Sequence, residues 1–126
     1  MKPRQLKALQ AKSKRLTAHA IQADRRENAF IVIVGSGTSS TFNHIVTVKF
    51  NKDGTIAARC TCPWAEHGGI ACSHVIAALS KLAALKHRAL SFWLTPEEAA
   101  RQKRSVFQLT SGTAKEEVWI TSREAA

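Results

Sequence analysis

Cys60-Thr61-Cys62-Pro63-Trp64-Ala65-Glu66-His67-Gly68-Gly69-Ile70-Ala71-Cys72-Ser73-His74 gathers all three cysteines of the chain into thirteen residues and sets a histidine just beyond the last. On a strand, residues two apart project to the same face, so Cys60 and Cys62 can aim both sulfurs at one ion at about 2.3 Å. On a helix, residues two apart diverge, so Cys72 must stand at or before the helix start. With Cys72 or Ser73 as N-cap and His74 in the first turn, the imidazole reaches back beside the sulfur. The positive end of that helix lowers the thiol pKa and favours the thiolate a metal needs. The stretch therefore predicts a strand ending near Cys62, a loop, and a helix beginning at residues 72–74.

Within the loop, Pro63 removes a ladder donor and Gly68-Gly69 lets the chain fold back, with Trp64 and Ile70 expected to cover the site. Cys60, Cys62, Cys72 and His74 complete a tetrahedron, and a closed four-ligand set is structural: one Zn2+ is expected, with His67 as an alternative to His74. A catalytic reading, Cys72 as nucleophile and His74 as base, leaves two further cysteines without a role and has no orienting third group. Three buried cysteines acting as small hydrophobes fit poorly with Thr61, Pro63, Glu66 and the glycines around them.

Working outward, Val75, Ile76, Leu79, Leu82 and Ala83 recur at helical spacing and extend the helix to about Lys86. Upstream, the β-branched run Phe30-Ile31-Val32-Ile33-Val34 predicts a strand, and Gly35-Ser36-Gly37-Thr38-Ser39-Ser40 a polar loop without regular structure. Ile45, Val46, Val48 and Phe50 predict a second strand, Asn51-Lys52-Asp53-Gly54 a turn, and residues 55–60 a third strand, giving an antiparallel meander. Downstream, Thr95-Pro96-Glu97-Glu98 has the form of a capping box and predicts a short helix to about Arg104. Residues 106–109 and 118–120 are then expected to form two strands. The expected class is α+β: a small antiparallel sheet, a hairpin-plus-helix metal unit, and short N- and C-terminal helices.

The first 26 residues hold eight basic side chains and a single acid, Asp24, with Leu6, Leu9 and Leu16 on a narrow apolar stripe. Residues 1–28 are thus expected to be a basic helical arm. Residues 29–90 form the meander with the metal unit, whose core is 45–86, and residues 91–126 a short helix and hairpin packed on the same domain. At 126 residues and +10 net charge, the chain has the size of one domain and a balance that favours polyanionic partners. No apolar stretch is long enough to span a bilayer and the basic N-terminus lacks a secretory core, so an intracellular, reducing setting is expected.

The pattern Cys60-Thr61-Cys62, gap, Cys72-Ser73-His74, preceded by a hairpin and continued by a hydrophobic helix, resembles the SWIM zinc finger, whose signature is Cys-x-Cys, a variable gap, then Cys-x-His. The likeness runs from about Ile45 to Lys86. A softer one, over Phe92-Trp93-Leu94-Thr95-Pro96-Glu97-Glu98-Ala99-Ala100-Arg101-Gln102, is to the tail of small stand-alone prokaryotic and phage members. The resemblance implies zinc binding with a role in DNA binding or protein interaction.

The first functional expectation is a nucleic-acid-binding accessory protein, DNA favoured, with Arg4, Lys7, Lys12, Lys14, Arg15, Lys86, Arg88, Arg101, Lys103 and Arg104 contacting phosphates. Trp64, Trp93 and Trp119 can stack on unpaired bases, although core positions are favoured for Trp93 and Trp119. The alternative is a protein adaptor docking on a replication, recombination or transcription partner. No paired carboxylates, phosphate-cradling loop or open metal position is apparent, so an enzyme is not expected.

Overall fold

A computed structural model describes residues 3–24, 26–36, 39–61, 72–110 and 118–125. The elements, in chain order, are α1 (Pro3–Ser13), β1 (Leu16–Asp24), β2 (Ala29–Ser36), β3 (Ser39–Phe50), β4 (Thr55–Cys60), α2 (Ser73–Ala84), β5 (Arg88–Trp93), α3 (Pro96–Ala100), β6 (Val106–Thr110) and β7 (Val118–Glu124). The class is α+β.

The expected meander is present: β2, β3 and β4 pair antiparallel, with Val32 opposite Val46 and Val46 opposite Cys60. Its turn is built as the side chains demand. Asp53 accepts from the Thr55 backbone N–H at 3.0 Å and Gly54 takes φ +88°, a conformation open to glycine at no steric cost. Strand β4 then pairs with β6 in parallel, β6 with β7 and β7 with β5 antiparallel, so that meander and C-terminal strands share one seven-stranded sheet, β1-β2-β3-β4-β6-β7-β5.

Three expectations are corrected. The N-terminal segment is helical only to Ser13; residues 16–24 pair with β2 as an edge strand. Leu16, Ala18 and Ala20 face the core while Thr17, His19 and Ile21 face out, and alanine is too small and too good a helix former for this period-two pattern to declare itself. Within the expected polar loop at 35–40, Gly35 and Ser36 instead belong to β2 and Ser39 and Ser40 to β3, with Ser36 paired to Ser39; Gly37 and Thr38 lie outside the described residues. The helix opened by Thr95 stops at Ala100, with Arg101 as C-cap, short of Arg104. Its N-cap is as expected: the Glu98 N–H donates to Thr95 Oγ1 at 3.2 Å, and the Thr95 hydroxyl donates to Glu98 Oε1 at 3.1 Å. Strand β5, where Leu90 and Phe92 alternate with Ala89 and Ser91, was not expected.

Helix α2 is the centre of the core. Val75, Ile76, Ala77, Ala78, Leu79 and Leu82 are buried on it, and the sheet supplies Val32, Val34, Val46, Val48, Ile56, Leu109, Val118 and Ile120. A helix buried over so much of its circumference has sheet and helix on several sides. Strands β1 to β5 and α1 all contact it, and α1 seals one flank through Leu6, 5% exposed. This packing fixes the N-terminus of α2 against the end of the β3–β4 hairpin.

Candidate metal centre

Cys72 is the N-cap of α2, with extended backbone (φ −67°, ψ 163°), and its sulfur accepts the N–H of Val75 at 3.4 Å. Its carbonyl takes the first helical hydrogen bond, from Ile76 N–H at 3.1 Å. The sulfur thus stands at the positive end of the helix, where a thiolate is favoured. His74, in the first turn, has Nδ1 3.9 Å from Cys72 Sγ, so cap and first turn present a sulfur and a nitrogen side by side.

Cys60 approaches from the sheet. It ends β4 with its side chain on the buried face, opposite Val46, and is 8% exposed. Thr61 clips this end of the hairpin: its N–H donates to the Ile45 carbonyl at 3.2 Å, and its hydroxyl oxygen accepts the Ile45 N–H at 3.2 Å.

The same clip brings in a residue that the sequence reading missed. The ligand-capable atoms of His44, Cys60 and His74 all lie within 4.8 Å of one another. The His44 and His74 rings have centroids 4.2 Å apart and are tilted by 40°. Burial and the neighbouring His74 hold the His44 pKa below the ordinary imidazole value, with Cys72 acting the other way. The available signal was the period of β3: Val48 and Val46 point into the core, and one further step of two reaches His44.

Of the expected ligands, the structure therefore brings Cys60, Cys72 and His74 to one place, where the end of a hairpin meets the start of a helix. Cys62 and the alternative ligand His67 lie outside the described residues, as do Trp64 and the rest of the loop. The donor set suits zinc: soft sulfur and imidazole nitrogen, converging on a largely buried point with no carboxylate among the described donors. When bound, such an ion crosslinks the β3–β4 hairpin to α2, two elements that the sequence joins only through the loop.

The expected basic residues fall into separate groups. Arg4, Lys7 and Lys14, on and just after α1, line a groove of about 770 Å3 together with Trp93, Phe92 and Leu94; Glu98 is its acidic member. Lys12 and Arg15 are exposed at the end of α1, and Arg101, Lys103 and Arg104 are exposed beyond α3. Lys86 and Arg88 instead border an apolar cavity of about 450 Å3 between α2 and the sheet. The Arg88 guanidinium is tied to Ser122, Nε donating to Oγ at 2.6 Å and Nη2 to the carbonyl at 3.1 Å. Trp93 and Trp119 stand opposite each other on β5 and β7, both half-buried, and Trp93 Nε1 donates to Thr121 Oγ1 at 3.0 Å. Among the described residues no helix is long and apolar enough to cross a membrane.

Residues 44–83 match the family model of the SWIM zinc finger. No curated protein and no solved structure matches the chain. The matched span opens at His44, beside the sheet-borne sulfur, and closes in the last turn of the helix that Cys72 caps. The fold and the family match thus meet on the same segment: residues 44–83 of the chain match a SWIM zinc finger, and the donors gathered there are consistent with one structural zinc.

Proposed function

We propose that this protein is an intracellular, non-enzymatic accessory factor that binds nucleic acid, DNA in preference, through its basic surface while the finger holds the fold. In this reading Cys60, Cys62, Cys72 and His74 hold the zinc. The observation that carries the nucleic-acid reading is the groove between α1 and β5, where Arg4, Lys7 and Lys14 flank the half-buried Trp93. Cations along one wall suit a phosphate backbone, and an indole held by a hydrogen bond offers a face on which an unpaired base can stack. The +10 charge favours long-range attraction of a polyanion. Nothing in this arrangement reads base edges, so affinity should depend on salt far more than on sequence.

The test is fluorescence anisotropy of the zinc-loaded protein with labelled single- and double-stranded oligonucleotides over a salt series. Binding that weakens linearly in log[salt] and is lost when Arg4, Lys7 and Lys14 are replaced by alanine supports the reading; an unaltered affinity in that variant refutes it. A second reading, a protein adaptor, draws on β1: it is an edge strand of the sheet and carries Ile21 54% exposed. An edge with an outward apolar side chain can receive a strand from a partner. Absence of oligonucleotide binding together with a stoichiometric protein companion on purification would favour it.

A further inference from the structure

We propose that His44 is a positioning residue of the zinc centre: from outside the ligand set, its imidazole packs on the His74 ring and directs an N–H toward the Cys60 sulfur. This inference rests on the zinc finger and is independent of the nucleic-acid reading.

Three observations lead to it. First, His44 is delivered to the site by the sheet. It shares the inward face of β3 with Val46, which pairs with Cys60, and the two hydrogen bonds between Ile45 and Thr61 lock its immediate neighbour to the end of β4. Second, its ligand-capable nitrogen lies within 4.8 Å of both the Cys60 sulfur and the His74 nitrogen. Third, the His44 and His74 rings pack on each other, with centroids 4.2 Å apart and planes inclined by 40°. His74, with Nδ1 3.9 Å from Cys72 Sγ, is the imidazole of the Cys-x-His pair, which leaves His44 the supporting place.

The chemistry gives this placement a purpose. Three thiolates on one dication leave the centre with a net negative charge, and a metal-bound thiolate is a strong hydrogen-bond acceptor. A neutral imidazole retains one N–H, so His44 can donate to Cys60 without competing for a coordination position. Its ring face restricts the rotation of His74, which stands in the first turn of α2. Groups that orient ligands in this way typically change metal affinity by roughly 10–100-fold when removed.

The experiment compares full-length wild type, His44→Ala, His44→Phe and His44→Gln. Affinity for zinc is read by chelator competition. The cobalt-substituted proteins give the thiolate charge-transfer and d–d absorption bands, and X-ray absorption of the zinc forms counts sulfur and nitrogen scatterers. His44→Ala and His44→Phe are both expected to bind zinc roughly 10–100-fold more weakly, with charge-transfer bands at lower energy and with d–d bands and scatterer count unchanged. His44→Gln, which keeps an N–H donor, is expected to recover part of the charge-transfer shift. If His44→Ala does not fold, His44→Phe, which keeps the ring volume, carries the test.

Wild-type affinity and charge-transfer energy in His44→Phe would overturn the hydrogen bond, and in His44→Ala the whole proposal. Loss of a nitrogen scatterer in His44→Phe would make His44 a ligand and likewise overturn it. A wild-type protein that bound no metal at all would instead remove the zinc reading beneath it.

Discussion

The Cys72 sulfur accepts the N–H of Val75 at 3.4 Å, so the atom offered to the metal is also the cap of the helix at the centre of the core. The two duties are separable by substitution. Cys72→Ser keeps an acceptor for Val75 and removes the thiolate, whereas Cys72→Ala removes both. Both variants should bind zinc far more weakly than wild type. At saturating zinc, Cys72→Ala should be less stable than Cys72→Ser by about 0.5–2 kcal/mol, the usual loss of an N-cap. Circular dichroism melts at saturating zinc check this.

The groove beside α1 makes a quantitative demand on nucleic-acid binding. If Arg4, Lys7 and Lys14 each neutralise a phosphate, replacing all three by alanine should reduce the slope of log affinity against log[salt] by roughly 3, with little change in sequence preference. Lys86→Ala, at the separate apolar cavity, should leave the slope as it was.

Thr61 is exposed, yet it holds the Ile45 N–H. Thr61→Val keeps the branched shape and deletes the acceptor. The expected outcome is a loss of about 0.5–1.5 kcal/mol in zinc-loaded stability. Faster hydrogen exchange at the Ile45 amide should accompany it, with β2 amides unaffected.

The turn between β3 and β4 carries a pH signature. Hydrogen bonds from the Thr55 hydroxyl and backbone hold the Asp53 carboxyl below its ordinary value of 3.8. A carboxylate whose folded-state pKa is depressed contributes stability that is fully present above the unfolded value and is lost as pH falls through the folded one. Asp53→Ala should therefore melt below wild type near neutral pH, and the gap should narrow as pH drops below about 3.8 and through the lowered value.

What the sequence disclosed followed the strength of local signals. The β-branched run at 30–34, the Asp-Gly turn, the apolar period of 75–83 and the Thr95 cap each act within a few residues, and each element begins where those signals put it, although the helix opened by Thr95 ends at Ala100. The position of Cys72 at the cap was legible because two donors on a helix cannot converge unless one precedes it. Strand β1 was hidden, since Ala18 and Ala20 mark a buried face without hydrophobic contrast against their neighbours. The parallel contact between β4 and β6 joins residues some fifty apart in the chain, with Ile56 facing Leu109, and no local pattern encodes it. His44 escaped notice for a related reason. It lies sixteen residues before Cys60 and outside any ligand spacing, and only the register of β3 on β4 places it at the metal.

The most direct test of the structural-zinc account is native mass spectrometry of the purified chain before and after chelation, with an elemental zinc assay on the same sample. One zinc per chain is expected, and its removal should bring loss of the compact charge states together with the helical signal of α2. A chain that carried no zinc, or that kept its compact charge states and helical signal once the metal was gone, would contradict it.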